Sequence, residues 1–157
     1  MSTRGSIVIK LRDEDCGKKI KVNPTVLTNN EKLINLYNEK CFEIVLDGKY
    51  GEIYCHHDSY PNGLGISLLE YWNTYEKVLN LILSGDTSGV SDNTDSYVFD
   101  EEYDDNKPTF TNDVPTLHQE YQYMFDNDVW YFRDIYDNTE WTPVKKYLEN
   151  DGYRTKS

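Results

Sequence analysis

The sequence has few cysteines and no long apolar run. These two features argue against a disulfide-stabilised protein and against a protein that spans a membrane. The three cysteines (Cys16, Cys41 and Cys55) are odd in number and widely spaced, and no C-x-x-C pair occurs. We therefore expect free thiols in a reducing compartment rather than a disulfide framework. No stretch approaches the roughly 20 apolar residues of a membrane span, and residues 1–6 open no apolar signal segment. These features predict a protein of the cytosol that does not enter a membrane.

Motifs for phosphate binding and nucleophilic catalysis are also missing. The chain contains neither G-x-x-x-x-G-K-[ST] nor G-x-G-x-x-G, and it has no G-x-S-x-G elbow. The leading interpretation is accordingly a protein that is not an enzyme, with no catalytic residue, no metal and no cofactor.

Basic residues are scarce in one half of the chain. Residues 86–140 carry 2 basic and 15 acidic side chains, whereas residues 1–85 carry 10 and 11 and residues 141–157 carry 4 and 2, which together give the net charge of −12. An acidic surface repels phosphate backbones, so we expect no direct binding to nucleic acid. It attracts a basic surface instead, including one that holds nucleic acid.

Length and periodicity predict one α+β domain over residues 1–157. Apolar alternation and turn signals predict an antiparallel sheet built from three hairpins: 6–11 with 19–23, 41–46 with 52–57 around Asp47-Gly48, and 120–125 with 129–135. Helical spacing predicts a central helix over about 64–84 that packs on this sheet and ends at Gly85, with a break at Asn73 or Thr74. We also predict a capped helix after Thr28 and a C-terminal helix from Pro143 to Gly152. Residues 86–115 are predicted to form an acidic, partly mobile excursion on the surface.

One stretch, residues 54–65, suggests chemistry. It contains His56-His57-Asp58 and then Pro61-Asn62-Gly63-Leu64-Gly65. Neighbouring side chains of a strand point to opposite faces, so the two histidines should not reach one metal ion. Core packing of Cys55 is favoured over a Cys55/His57 pair, and turn-forming glycines are favoured over an anion cradle.

The acidic half provides the candidate contact surface. Its carboxylates are mixed with tyrosine and tryptophan, which are common at interface hot spots. The candidate partner-binding residues are Asp100, Glu101, Glu102, Tyr103, Asp104, Asp105, Asp126, Asp128, Trp130, Tyr131 and Asp134.

Several segments together resemble a group of small acidic phage and prophage proteins without an assigned activity. The resemblance rests on residues 2–7, on His57-Asp58-Ser59-Tyr60-Pro61-Asn62-Gly63-Leu64-Gly65, on residues 84–88 and on the aromatic hairpin that ends near Trp141. Members of the group carry an H-x-D-G-Y-P-x-G-x-G-like segment before a helix. Ser59 stands where that segment has glycine, and the acidic insertion 86–115 is atypical. The resemblance implies a phage origin, and small acidic phage proteins include anti-CRISPR and other anti-defence proteins.

The leading functional prediction is a phage-encoded inhibitor in the host cytoplasm. It would bind a basic, nucleic-acid-handling host protein, such as a CRISPR effector, through an acidic, aromatic surface that mimics DNA. Two alternatives stay open: a small enzyme or ligand-binding module that uses the turn at residues 56–65, with His57 and Asp58 as its polar groups, and a phage structural component.

Overall fold

The computed structural model describes residues 3–22, 25, 29–40, 43–96, 106–136 and 138–152. Within these residues the chain is α+β, as predicted, with a mixed sheet and four α-helices. None of the described helices is long and apolar enough to cross a membrane.

Eight strands form the main sheet, and two of its pairings are parallel. The strands are β1 (Gly5–Lys10), β4 (Tyr50–Cys55), β5 (Thr87–Val90), β6 (Thr94–Ser96), β7 (Thr109–Thr111), β8 (Tyr121–Asp126), β9 (Val129–Asp134) and β10 (Thr142–Pro143). Their order is β10-β9-β8-β1-β4-β5-β6, with β7 also paired to β4. Because β1 runs parallel to β8 and β4 parallel to β5, the prediction of a purely antiparallel sheet is wrong.

Two of the three predicted hairpins do not form. Strands β2 (Lys19–Lys21) and β3 (Glu43–Val45) pair with each other in a separate two-stranded sheet, and β1 pairs with β4. The Leu46 N–H donates to Lys18 O at 2.8 Å and the Lys49 N–H donates to Thr111 O at 2.9 Å. These bonds direct the chain from the small sheet into the large one, so the Asp-Gly segment joins two sheets rather than two paired strands. The aromatic hairpin β8–β9 is confirmed, with Tyr121 opposite Asp134 and Phe125 opposite Trp130.

The helices lie close to the positions predicted from the sequence. Helix α1 is Glu31–Lys40, α2 is Ile66–Tyr71, α3 is Tyr75–Leu83 and α4 is Val144–Asn150. The predicted central helix is broken before α3, where the Thr74 side chain accepts the Lys77 N–H at 3.3 Å. Gly85 ends α3 with a φ of 82°. Pro143 precedes α4 as its N-cap residue, not as its first helical residue.

Two helix-start predictions differ in detail from the structure. At the start of α1 the Asn30 side chain accepts the Lys32 N–H at 3.0 Å, so asparagine caps this helix. The predicted capping residue, Thr28, lies outside the described residues. The turn before α2 is one π-helical turn over Pro61–Gly65 that continues directly into the helix.

The hydrophobic core lies between one face of the sheet and three helices. Alternate residues of the central strands point to it, and α2, α3 and α4 contribute the facing side chains. The largest fully buried members are Trp72, Tyr123, Phe125, Phe132, Ile7, Ile9, Leu46 and Ile53. Phe125 packs edge-on against Trp130 with ring centroids 5.1 Å apart, and Phe132 does so against Tyr147 at 4.8 Å.

The predicted acidic excursion is partly built into the sheet. Residues 87–90 and 94–96 form β5 and β6, and residues 109–111 form β7 beside β4. These residues therefore belong to the main sheet, and of them only Thr87, Thr94 and Ser96 are buried. Thr87 and Thr94 are buried there, and their hydroxyls are 2.8 Å apart. Short polar strands of this kind give no apolar alternation, which is why the pattern missed them.

Candidate functional site

The turn after β4 joins the sheet to the helices through buried polar contacts. The Tyr54 N–H donates to Asp86 Oδ1 at 2.9 Å, and burial raises the pKa of Asp86. Ser59 is buried, and its carbonyl accepts the Tyr123 hydroxyl at 2.6 Å. Asp58 has a φ of 58°, a left-handed conformation that aspartate adopts more readily than most residues. These contacts give the turn a structural role.

The two histidines in this turn contact each other, which strand geometry would not allow. Strand β4 ends at Cys55, so alternation no longer applies, and the His56 and His57 rings meet edge-on with centroids 4.5 Å apart. The Tyr54 hydroxyl lies 2.7 Å from His56 Nδ1. No group of three histidine, cysteine, aspartate or glutamate side chains could hold a metal ion within the described part of the chain.

Cys55 belongs to the core, as its packing interpretation predicts. It is fully buried, and burial raises its pKa to about 11. Its Sγ donates to the carbonyl oxygen of His57 at 3.6 Å. A thiol in this state is a poor nucleophile at neutral pH, since the thiolate is the reactive form.

The glycines at residues 63 and 65 serve close packing. The N–H groups of Gly63 and Leu64 already donate to Tyr60 O and Asp58 O, both at 2.9 Å. These two donors are therefore occupied and cannot cradle an anion. A Cβ on Gly63 would lie 2.6 Å from Asp58 O, and one on Gly65 would lie 3.1 Å from Val144 on α4.

The predicted contact surface is only partly within the described residues. Asp100, Glu101, Glu102, Tyr103, Asp104 and Asp105 lie outside them. The remaining candidates, Asp126, Asp128, Trp130, Tyr131 and Asp134, all belong to the β8–β9 hairpin.

Two of these candidates are buried and cannot be surface contacts. Trp130 is 3% exposed, and its indole N–H donates to Trp72 O at 2.8 Å, so it anchors the hairpin to the break between α2 and α3. Asp134 is 6% exposed, and its Oδ1 accepts the Tyr136 and Asn138 N–H groups at 2.9 and 3.1 Å. It therefore closes the loop after β9. Alternation along β9 places both side chains inward, and the acidic composition alone gave no sign of this.

The turn between β8 and β9 does expose its charge. Asp128 is exposed and Asp126 is half-buried, with Asp126 Oδ2 3.8 Å from Lys10 Nζ. Asn127 and Asp128 have φ values of 50° and 66°, as a two-residue hairpin turn with both central residues left-handed requires. Tyr131 is half-buried on the same hairpin.

A hollow of about 320 Å³ lies beside this turn, at the end of the sheet where β1 also ends. We call it the β8–β9 hollow; it is lined by Lys10, Leu11, Arg12, Asp13, Glu14, Tyr75, Asp126, Asn127 and Asp128. Four of these nine residues are acidic and two are basic. Asp13 and Glu14 were not among the sequence-predicted contacts, because they come from a turn more than a hundred residues earlier in the chain.

Local contacts hold Arg12 and Tyr75, two of the residues that line this hollow, in place. The Tyr75 hydroxyl accepts the Arg12 N–H at 3.0 Å and donates to Asp15 Oδ2 at 2.8 Å. The Arg12 guanidinium stacks over the Tyr75 ring at 4.1 Å. Burial raises the pKa of Tyr75, so the phenol stays neutral and keeps donating to Asp15. One basic lining residue is thus engaged with an aromatic ring and the other with Asp126.

Comparison with known proteins gives no relative for this chain. No family model, no curated protein and no solved structure matches it.

Proposed function

We propose that the protein is a phage-encoded inhibitor that acts in the host cytoplasm by binding a basic, nucleic-acid-handling host protein, such as a CRISPR effector. The proposed contact surface is the acidic end of the sheet around the β8–β9 hollow, together with the acidic residues 100–105. One observation carries the proposal: Asp13, Glu14, Asp126 and Asp128 line the same hollow although they come from distant parts of the sequence.

The charge around the hollow favours a basic partner. Four carboxylates face two cationic side chains, and Lys10 and Arg12 are each engaged within the protein. The excess negative charge would speed association with a positive surface and reject a phosphate backbone. A groove that holds DNA or RNA presents such a positive surface, so an acidic protein bound there would compete with nucleic acid.

The alternative of a small enzyme at residues 56–65 receives little support from the geometry. The backbone donors at Gly63 and Leu64 are occupied, and Cys55 is buried with a raised pKa. No single observation favours a phage structural component.

Binding of purified effector nucleases, measured by calorimetry at low and high salt, tests the proposal. The double variant Asp126→Asn/Asp128→Asn should weaken binding about two- to thirtyfold, since each of two exposed charge pairs contributes about 0.2–1 kcal/mol. The matched control is Asp58→Asn/Glu140→Gln, which removes two exposed charges outside the proposed contact surface. Equal affinities for the two double variants would contradict the proposed surface.

A further inference from the structure

A small pocket opens at the edge of the hydrophobic core, between the β8–β9 hairpin and the helices. We call it the β9–α4 pocket, and its volume is about 160 Å³. Its apolar wall is formed by Leu69 of α2, Phe125 of β8, and Val129 and Trp130 of β9. A single water needs about 10–15 Å³, so a ligand of about ten to sixteen heavy atoms fits. Pockets for drug-sized ligands are larger, at about 300–1,000 Å³.

The deepest part of the wall offers an apolar surface. Phe125 and Trp130 are 1% and 3% exposed, and they pack edge-on with ring centroids 5.1 Å apart. The indole N–H of Trp130 donates to Trp72 O at 2.8 Å, so this donor is not available to a ligand. A ligand that enters the pocket therefore meets carbon atoms there, which favours an aliphatic or aromatic group.

Three polar residues complete the lining and form its rim. They are Asn73 at the break between α2 and α3, Asp128 in the turn between β8 and β9, and Lys145 on α4. All three are exposed. Within the described part of the chain, none of their side chains has a hydrogen-bond or ion-pair partner, so Asp128 and Lys145 do not neutralise each other. One negative and one positive group therefore stay open to a ligand.

Opposite charges beside an apolar wall complement a zwitterion. The α-ammonium group of a free amino acid would pair with Asp128 and its α-carboxylate with Lys145, while its side chain enters against Phe125 and Trp130. The amide of Asn73 can donate a further hydrogen bond to the carboxylate. A neutral apolar ligand would leave both charges unused, and a ligand of one sign would be repelled by one of them.

We propose that the β9–α4 pocket binds a free α-amino acid with an apolar side chain. Leucine and phenylalanine, with about nine and twelve heavy atoms, match its volume. A ligand of this size in a site open to solvent binds with a Kd of about 1–10 mM. Each charged contact lies at the exposed rim, so each changes the affinity about 1.4- to fivefold. The site goes beyond the proposed inhibition and does not depend on it.

Titration of the full chain with leucine, followed by NMR of the tryptophan indole N–H signals, tests the site. Trp130 lines the pocket, whereas Trp141 lies outside its lining and contacts the Arg133 guanidinium, 4.5 Å from the ring centroid. The Trp130 signal should shift and saturate with a Kd of about 1–10 mM, while the Trp141 signal stays constant. A Trp130 signal that is unchanged at about 50 mM leucine would overturn the site.

Two further ligands separate an amino-acid site from other occupants. Glycine keeps both charges but lacks the apolar side chain, and it should bind at least about tenfold more weakly than leucine. N-acetyl-leucinamide keeps the side chain but lacks both charges, and it should bind about two- to thirtyfold more weakly. Binding of N-acetyl-leucinamide as tight as that of leucine would overturn the amino-acid assignment and favour an apolar side chain of another protein as the occupant.

A double variant of the rim tests the two charged contacts. Asp128→Asn/Lys145→Gln should weaken leucine binding about two- to thirtyfold. The matched control is Asp58→Asn/Lys146→Gln, which removes the same two charges at exposed residues outside the pocket lining. Asp58 also shares the left-handed backbone of Asp128, with φ values of 58° and 66°. Equal leucine affinities for the two double variants would overturn the role of the rim charges.

Discussion

Replacement of Gly63 by alanine should destabilise the protein through one backbone contact. The added Cβ would lie 2.6 Å from Asp58 O and 3.0 Å from the Tyr60 ring. The ring can move, but the Asp58 carbonyl is fixed because it accepts the Leu64 N–H at 2.9 Å. Relief of the clash therefore requires the turn to open and this hydrogen bond to lengthen.

The expected loss in the free energy of unfolding is about 1–3 kcal/mol. Overpacking costs about 1–3 kcal/mol, and a weakened hydrogen bond adds about 0.5–1.5 kcal/mol. Alanine recovers about 0.4–1 kcal/mol by restricting the unfolded chain. For a domain of this size the net loss corresponds to a fall in Tm of about 2–10 °C.

Thermal and urea unfolding, followed by circular dichroism, measure this loss. Gly89→Ala is the matched control, because its added Cβ would meet only the Asp95 carboxylate at 3.9 Å. The control should unfold within about 1 kcal/mol of the parent protein. If Gly63→Ala and Gly89→Ala unfold alike, the close packing of the turn after β4 is refuted.

Three further predictions concern buried polar groups. Tyr123→Phe should cost about 1–3 kcal/mol in urea unfolding, since it leaves the buried Ser59 carbonyl without its donor; no loss would contradict that bond. Asp86→Asn should raise stability at neutral pH, because burial raises the pKa of Asp86 and so penalises its charged form. This gain should vanish as the pH falls below the unfolded pKa of about 3.9, and a gain that persists there would contradict the cause. The Cys55 thiol should react with Ellman's reagent only after denaturant is added, since it is buried and its pKa is about 11; rapid reaction in the native protein would contradict its burial.

Local signals in the sequence predicted the local structure well. The break before α3 was predicted from Thr74 as a capping residue, and the end of α3 from Gly85. The β8–β9 hairpin was predicted from alternation on both sides of a short polar turn. Each of these features depends on residues within a few positions, so a pattern can report it.

Pairings between distant strands could not be predicted from the same patterns. Strand β1 pairs with β4 and β8, some 45 and 115 residues further along the chain, and not with the neighbouring β2. Strands 43–45 and 50–55 both alternate, yet Lys18 and Thr111 direct them into different sheets. Alternation indicates that a strand exists but does not identify its partner.

The candidate surface was predicted in part for the same reason. Asp126 and Asp128 lie on an exposed turn, as expected of polar turn residues, whereas Trp130 and Asp134 were chosen for residue type and turned out to be buried. Asp13 and Glu14 reach the β8–β9 hollow only through the fold.

The affinity of the protein for a purified CRISPR effector nuclease, measured at increasing salt, tests the proposed function most directly. We predict a single stoichiometric complex whose affinity falls steeply with salt, because exposed charges are screened beyond about 10 Å at 0.1 M ionic strength. Asp126→Asn/Asp128→Asn should reduce that salt dependence, and Asp58→Asn/Glu140→Gln should leave it unchanged. An affinity that stays constant from low to high salt would contradict inhibition through an acidic surface.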